Sequence, residues 1–373
     1  LAAPAISDRD RRRSTPKRGR TEASLNSKIS ALPAGKRNTA LDGLRGLAAL
    51  SVALGHCDLL LTGLAAWNFG LRDLQGEQNR LVWGRLGYLA FPSDAAVTLF
   101  FVLSGHVLWE AFFAKYPVSL RAFPDYALSR LYRLLPTSIA CGVALGLASV
   151  ILGPRIGATE LVETMMILSS RTNGVLWSLQ IELVCSLLLF FVWMAARRNL
   201  FVLLAALLLS LIVTRQLHYA NNYALFFSSF LAGALVTKLP VRAKRNILLM
   251  LCGIPLLVGS SLVLGHDWRS RYGETLGAFM IVAYIRNVSP AFMRRGPAHF
   301  LGRISYPFYL SHIVGLQVAL PVANRLGDAP LARFLGYAVI SLAVTIPLAF
   351  LIHIAIEAPA MRRRPRLRWW SAR

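Results

Sequence analysis

Arg45 and His56 are the two side chains whose types and spacing best fit a chemical task. They stand eleven residues apart, so on a helix turning about 100° per residue they fall within ~20° of one stripe, separated by about 16 Å along the axis. A permanently charged guanidinium suits an anionic phosphate group. An imidazole is the side chain best matched to moving a proton near neutral pH. In Leu41-Asp42-Gly43-Leu44-Arg45-Gly46-Leu47, Asp42 precedes Arg45 by three residues, so the two can share a helical face and ease each other's burial. The same residues are also compatible with an arginine reaching back to the membrane surface and a histidine satisfied in a core.

Five further clusters carry polar chemistry within apolar surroundings. Phe100-Phe101-Val102-Leu103-Ser104-Gly105-His106 sets a small pair in an aromatic run, where a helix or a ligand can approach closely. Arg130 and Arg133 stand just before Pro136, a proline suited to a helix start, and fit either a phosphate-bearing cofactor or lipid headgroups. Trp177-Ser178-Leu179-Gln180-Ile181-Glu182 puts Ser178 and Glu182 at i and i+4, and Ser305, Tyr309 and His312 fall on one stripe. His353 and Glu357 close the last apolar run. Such groups could equally line a proton relay or an ion path.

The elements that must position these groups are apolar segments of bilayer length. Ten occur, at about 39–64, 95–114, 136–153, 176–195, 200–217, 222–238, 247–264, 273–289, 300–323 and 334–356. Each is near the roughly 17 to 25 residues a spanning helix needs. Hydrophobic residues make up 55% of the chain and charged ones only 16%, against about 25% in ordinary soluble domains. Disorder throughout, collagen and small disulfide scaffolds are excluded. The reading is all-α: a polytopic membrane helix bundle of about ten transmembrane helices over residues 39–360. A disordered basic tail is expected at 1–38 and a short basic tail at 361–373.

The net charge of +24 would fit nucleic acid, but the cations lie between the apolar blocks. With the N-terminal tail in the cytoplasm, ten crossings place 30 Lys and Arg on the cytoplasmic face and 10, Arg85 and Arg271 among them, on the other, the bias expected of cytoplasmic loops. Both termini are therefore expected in the cytoplasm and no nucleic-acid partner is expected. Residues 65–93 read as an outer loop. Cys57, Cys141, Cys185 and Cys252 form no CxxC pair and read as buried small hydrophobes, with no metal site. No cleavable signal peptide is expected, and Leu1 in place of Met suggests a missing start.

In this order the segments resemble the acyltransferase 3 family of integral-membrane acyltransferases, over about residues 38–360. The Asp42-Gly-Leu-Arg45-Gly run with His56 is similar to the family's Arg, ten residues, His signature. Phe100-Phe101-Val-Leu-Ser104-Gly105 matches its Phe-Phe-x-x-Ser-Gly run. Arg130 to Pro136, Trp177-Ser178-Leu-x-x-Glu182 and Gly302-Arg303-Ile-Ser305-Tyr306-x-x-Tyr309-Leu-x-His312 complete the set. Departures are Thr98, where the family often has an acidic residue, and His106, where it has an aromatic or aliphatic one.

The resemblance implies a bacterial inner-membrane enzyme that moves an acyl group, commonly acetyl, from cytoplasmic acyl-CoA to a hydroxyl of an envelope or exported carbohydrate. It implies His56 as the catalytic residue with Arg45 and Glu182, and Arg130 and Arg133 holding the CoA phosphates. Asp42, Ser104, Ser178, Tyr309 and His312 would support the site. Ser178, or the Ser104-Gly105 backbone, is the expected stabiliser of an oxyanion. The chain ends 13 residues after Ala360, so transfer is expected to finish within the membrane domain or with a separate protein. Two other readings stand beside it: a proton-coupled exporter of a glycan or lipid built on Arg45, His56, Glu182 and His312, and a scaffold or sensor whose basic tail binds anionic lipid.

Overall fold

The computed structural model describes residues 38–65, 78–153, 155–196, 199–217, 222–239, 246–265, 267–327 and 329–363, with the side chains of 78–80, 113, 114, 217 and 222 excepted. The expected basic tails fall outside these residues, apart from Asn38 and 361–363. The described residues are helical, with no strand.

Ten long helices coincide with the ten apolar runs: α1 (Thr39–Thr62), α3 (Ser93–Lys115), α4 (Phe123–Leu152), α6 (Leu176–Ala196), α7 (Leu200–Leu217), α8 (Asn222–Val236), α9 (Leu248–Leu264), α10 (Trp268–Val288), α12 (Gly296–Ala323) and α13 (Pro330–Ile352). Short α2 (Gln78–Ala90), α5 (Ala158–Met165), α11 (Ala291–Arg294) and α14 (Ala358–Arg363) join or extend them. A π turn, His353–Glu357, links α13 to α14.

By length and composition, five described stretches suffice to cross a bilayer: Thr39–Thr62, Leu81–Phe112, Leu120–Leu152, Leu176–Ala196 and Pro330–Arg363. The less apolar α10 and α12 bury Ser270, Arg271, Glu274 and Thr275, and Ser305, Ser311 and His312, within the bundle. α12 packs on α1, α13 and α4. Charged and polar residues inside a bilayer survive by facing other helices rather than lipid.

The tightest crossings are made by glycines. A Cβ on Gly302 of α12 would lie 2.3 Å from the Asp42 carbonyl oxygen, and one on Gly46 of α1 would lie 2.4 Å from the Gly302 nitrogen. On the far side of the motif set, a Cβ on Gly105 of α3 would meet the Phe230 oxygen at 2.1 Å, and one on Gly233 of α8 the Val102 oxygen at 2.1 Å. Backbone-to-backbone contact of this kind is the small-residue packing that associates helices in lipid.

Several expectations are corrected. The helix carrying Arg130 and Arg133 does not begin at Pro136 but at Phe123, and it runs through the proline. A membrane helix tolerates the lost backbone bond when neighbouring groups re-satisfy it. The outer loop 65–93 contains α2, which buries Leu81, Arg85 and Tyr88 and turns Val82, Trp83, Leu86 and Leu89 outward. Arg85 and Arg271, counted among outer-face charges, are both buried in helices. Cys252 is exposed on α9, whereas Cys57, Cys141 and Cys185 are buried. Asp267 caps α10 by accepting from the Arg269 amide at 2.7 Å, and its hydrogen bond with the Arg269 side chain holds its carboxyl below the usual range.

Candidate active site

His56 and His312 meet across the α1–α12 contact. His312 Nδ1 lies 2.7 Å from the Tyr309 carbonyl oxygen, and its Nε2 lies 3.1 Å from His56 Nδ1. A carbonyl only accepts, so His312 Nδ1 carries the hydrogen. With both rings neutral, His312 Nε2 then offers its lone pair, and His56 Nδ1 donates to it. The basic lone pair of His56 is thereby set at Nε2, because in imidazole the hydrogen bond at one nitrogen decides the other.

His56 lines a cavity of about 320 Å³ shared with Asp94, Trp177, Phe226, Arg271 and Tyr309. These residues lie in the last part of α1, the first turns of α3, α6, α8 and α10, and the middle of α12. Tyr309 is joined to α6, where Ser178 Oγ donates to the Val175 oxygen at 2.8 Å and stands 2.8 Å from the Tyr309 hydroxyl. With its own hydrogen used, Ser178 accepts from Tyr309.

Arg271 anchors the network that sequence reasoning missed. Its guanidinium pairs with Asp94 of α3, donates to Glu274 Oε2 at 2.8 Å and lies 5.9 Å from the Phe226 ring centre. Glu274 also accepts from Thr98 at 2.7 Å and from Ser261. Thr98 thus brings a carboxylate of α10 to the place where the family often has an acidic residue. The available signal was the i, i+3 spacing of Arg271 and Glu274, hidden because Arg271 precedes the apolar run.

The remaining expected residues form a second group. Arg130 Nη2 pairs with Glu182 Oε1 at 2.7 Å. Arg133 Nη1 pairs with Glu357 Oε1 at 2.8 Å, and Glu357 Oε2 lies 2.7 Å from His353 Nδ1. The Arg133 guanidinium stands 5.4 Å from the Tyr306 ring centre. The π turn carries His353 and Glu357, and such turns often mark functional sites. The groups follow one another through the bundle: Arg133, Tyr306, the Arg130–Glu182 pair, Ser178 with Tyr309, His312 with His56, then the cavity.

Ser178 donates to Val175, and Gly105 packs against the α8 backbone. Ser104 is buried but does not line the cavity. Asp42 is buried beside the α1–α12 crossing, and Arg45 and His56, both on α1, are half-buried. Among the described residues, no three His, Cys, Asp or Glu side chains gather to hold a metal ion.

The family model for this acyltransferase domain matches residues 38–353, which is most of the chain. The chain belongs to the acyltransferase 3 family. No curated protein and no solved structure gives a match. Family membership makes the chain a membrane acyltransferase, and the match contains every group described above except Glu357 of the inner pair.

Proposed function

We propose that this acyltransferase moves an acyl group, acetyl in the simplest case, from cytoplasmic acyl-CoA to a carbohydrate hydroxyl at the opposite face of a bacterial cytoplasmic membrane. The observation that carries this is the hydrogen-bonded series Tyr309 carbonyl, His312, His56, ending at a cavity. The acceptor hydroxyl gives its proton to His56 Nε2 as its oxygen bonds to the thioester carbonyl carbon. The C–S bond then breaks, and the CoA thiolate takes the proton from His56. Neutral His312, accepting at Nε2, stabilises the imidazolium formed on His56.

At the other end of the column, Arg133 is about a third exposed (32%) and the exposed Arg362 and Arg363 of α14 follow the π turn. These cations suit CoA phosphates. Arg130, buried and paired with the half-buried Glu182, stands behind them. Arg45 to His56 spans about 16 Å, a length suited to a pantetheine arm lying along α1. The excess of Lys and Arg in the segments read as cytoplasmic supports both termini on that side, and with ten crossings the cavity would lie toward the far side.

The test is labelled acetyl-CoA offered to membranes containing the chain. Label passes to glycan with the intact protein and not with His56→Ala, which stays folded and inserted. No label with the intact protein, alongside uptake or release of glycan, would return the chain to the exporter reading.

A further inference from the structure

Asp94 has no role in the proton path described above, yet it is a partly buried carboxylate at the cavity wall, and intramembrane carboxylates are functional by default. Neutralising Arg271 does not require it. Glu274 is wholly enclosed and has both oxygens occupied, by Arg271, Thr98 and Ser261. The Asp94 side chain keeps 11% exposure and meets Arg271 through Oδ2. A carboxylate accepts about four hydrogen bonds, so lone pairs remain to be used. It stands in the first turn of α3.

We propose that Asp94, held by Arg271, is the acceptor-specificity residue, and that it receives a hydroxyl of the same sugar ring whose other hydroxyl is acylated at His56. The inference rests on the acyl-transfer reading. Three features carry it. Gly55 and Ser93, the neighbours of His56 and Asp94, pack so closely that a Cβ on Gly55 would lie 2.7 Å from Ser93 Oγ. The two functional residues therefore address one small space, and about 320 Å³ suits a monosaccharide ring beside a thioester. Trp177 and Phe226 supply flat aromatic faces for the apolar side of that ring. A carboxylate repels the phosphates of CoA and accepts from hydroxyls, and such charge-assisted bonds are about twice as strong as neutral ones.

The test uses the full chain purified in nanodiscs, acetyl-CoA, and methyl glycosides of glucose, galactose, mannose, rhamnose and N-acetylglucosamine. For the best acceptor, each non-acylated hydroxyl is replaced in turn by hydrogen and by fluorine. At one position both replacements raise the acceptor KM by about tenfold or more, because fluorine cannot donate to a carboxylate. The donor KM moves by less than about twofold, and in Asp94→Asn the penalty at that position falls below about threefold. Fluoro analogues tolerated at every position, or a full penalty retained in Asp94→Asn, overturns the inference and leaves acyl transfer standing. Should Asp94→Asn not fold, the fluoro series on the unsubstituted chain decides. Failure of the intact protein to acylate any glycoside overturns the acyl-transfer reading and the inference together.

Discussion

His312→Phe isolates what the second histidine contributes. Phenylalanine preserves a planar ring at a wholly buried position on α12 but removes the Nε2 acceptor 3.1 Å from His56 Nδ1. Without that acceptor, His56 loses one of the partners that fix its tautomer and orientation and keeps the backbone hydrogen bond with Val52. One net hydrogen bond is worth about 1 kcal/mol, which changes the ratio of the two forms about fivefold but lowers the reactive form itself by less than about twofold. Lost orientation adds to this, and outer partners that hold a histidine typically contribute about 10- to 100-fold. We therefore expect kcat to fall by about 10- to 100-fold with donor KM little changed, less than the roughly 10²- to 10⁴-fold expected of His56→Ala. In the double variant the second change adds nothing, since His312 acts only through His56. Turnover on acetyl-CoA, compared across the four proteins at matched monodispersity, is the assay. A double variant slower than His56→Ala by the full His312→Phe factor would refute the reasoning, and so would an unimpaired His312→Phe.

Glu182→Gln leaves the Arg130 guanidinium enclosed without its carboxylate and destabilises by about 3–5 kcal/mol, read as a lowered unfolding midpoint in detergent. Replacing Arg130 and Glu182 together with apolar residues of similar volume restores most of that loss. Arg133→Ala raises the KM for acetyl-CoA but not for an acetyl thioester of N-acetylcysteamine, which has no phosphates; equal effects on both donors would remove Arg133 from phosphate binding. Gly302→Ala forces a methyl group 2.3 Å from the Asp42 carbonyl and costs at least about 3 kcal/mol, seen as loss of a monodisperse protein in size-exclusion chromatography.

The bundle was legible because bilayer thickness dictates the length of an apolar run, and each of ten runs became one long helix. The ends were less so. Arg130 reads as a loop residue when the apolar run is started at Pro136, although the helix begins thirteen residues earlier. Arg271 reads as an outer charge because what neutralises it comes partly from α3, far away in sequence. The site was half legible. His56, His312, Ser178 and Tyr309 were marked by type and spacing and do converge. Which partner each group takes was not: Thr98 with Glu274 and Arg133 with Glu357 are tertiary pairings that no local period encodes. Asp94 was missed because a Ser-Asp start after a proline is ordinary helix-opening chemistry and reveals no cavity.

The glycine contacts weld some helices into stiff pairs, α1 with α12 and α3 with α8, and a Cβ on Gly277 would lie 2.5 Å from the Leu257 nitrogen, adding α9 with α10. Within a weld, sliding means a clash of main chains. The joint between the α3–α8 and α9–α10 pairs includes an arginine, two carboxylates and a threonine, and long side chains can part and re-form where main chains cannot. That joint is also a wall of the cavity, so the cavity can change its lining through side chains alone, while the welded main chains on either side keep their register.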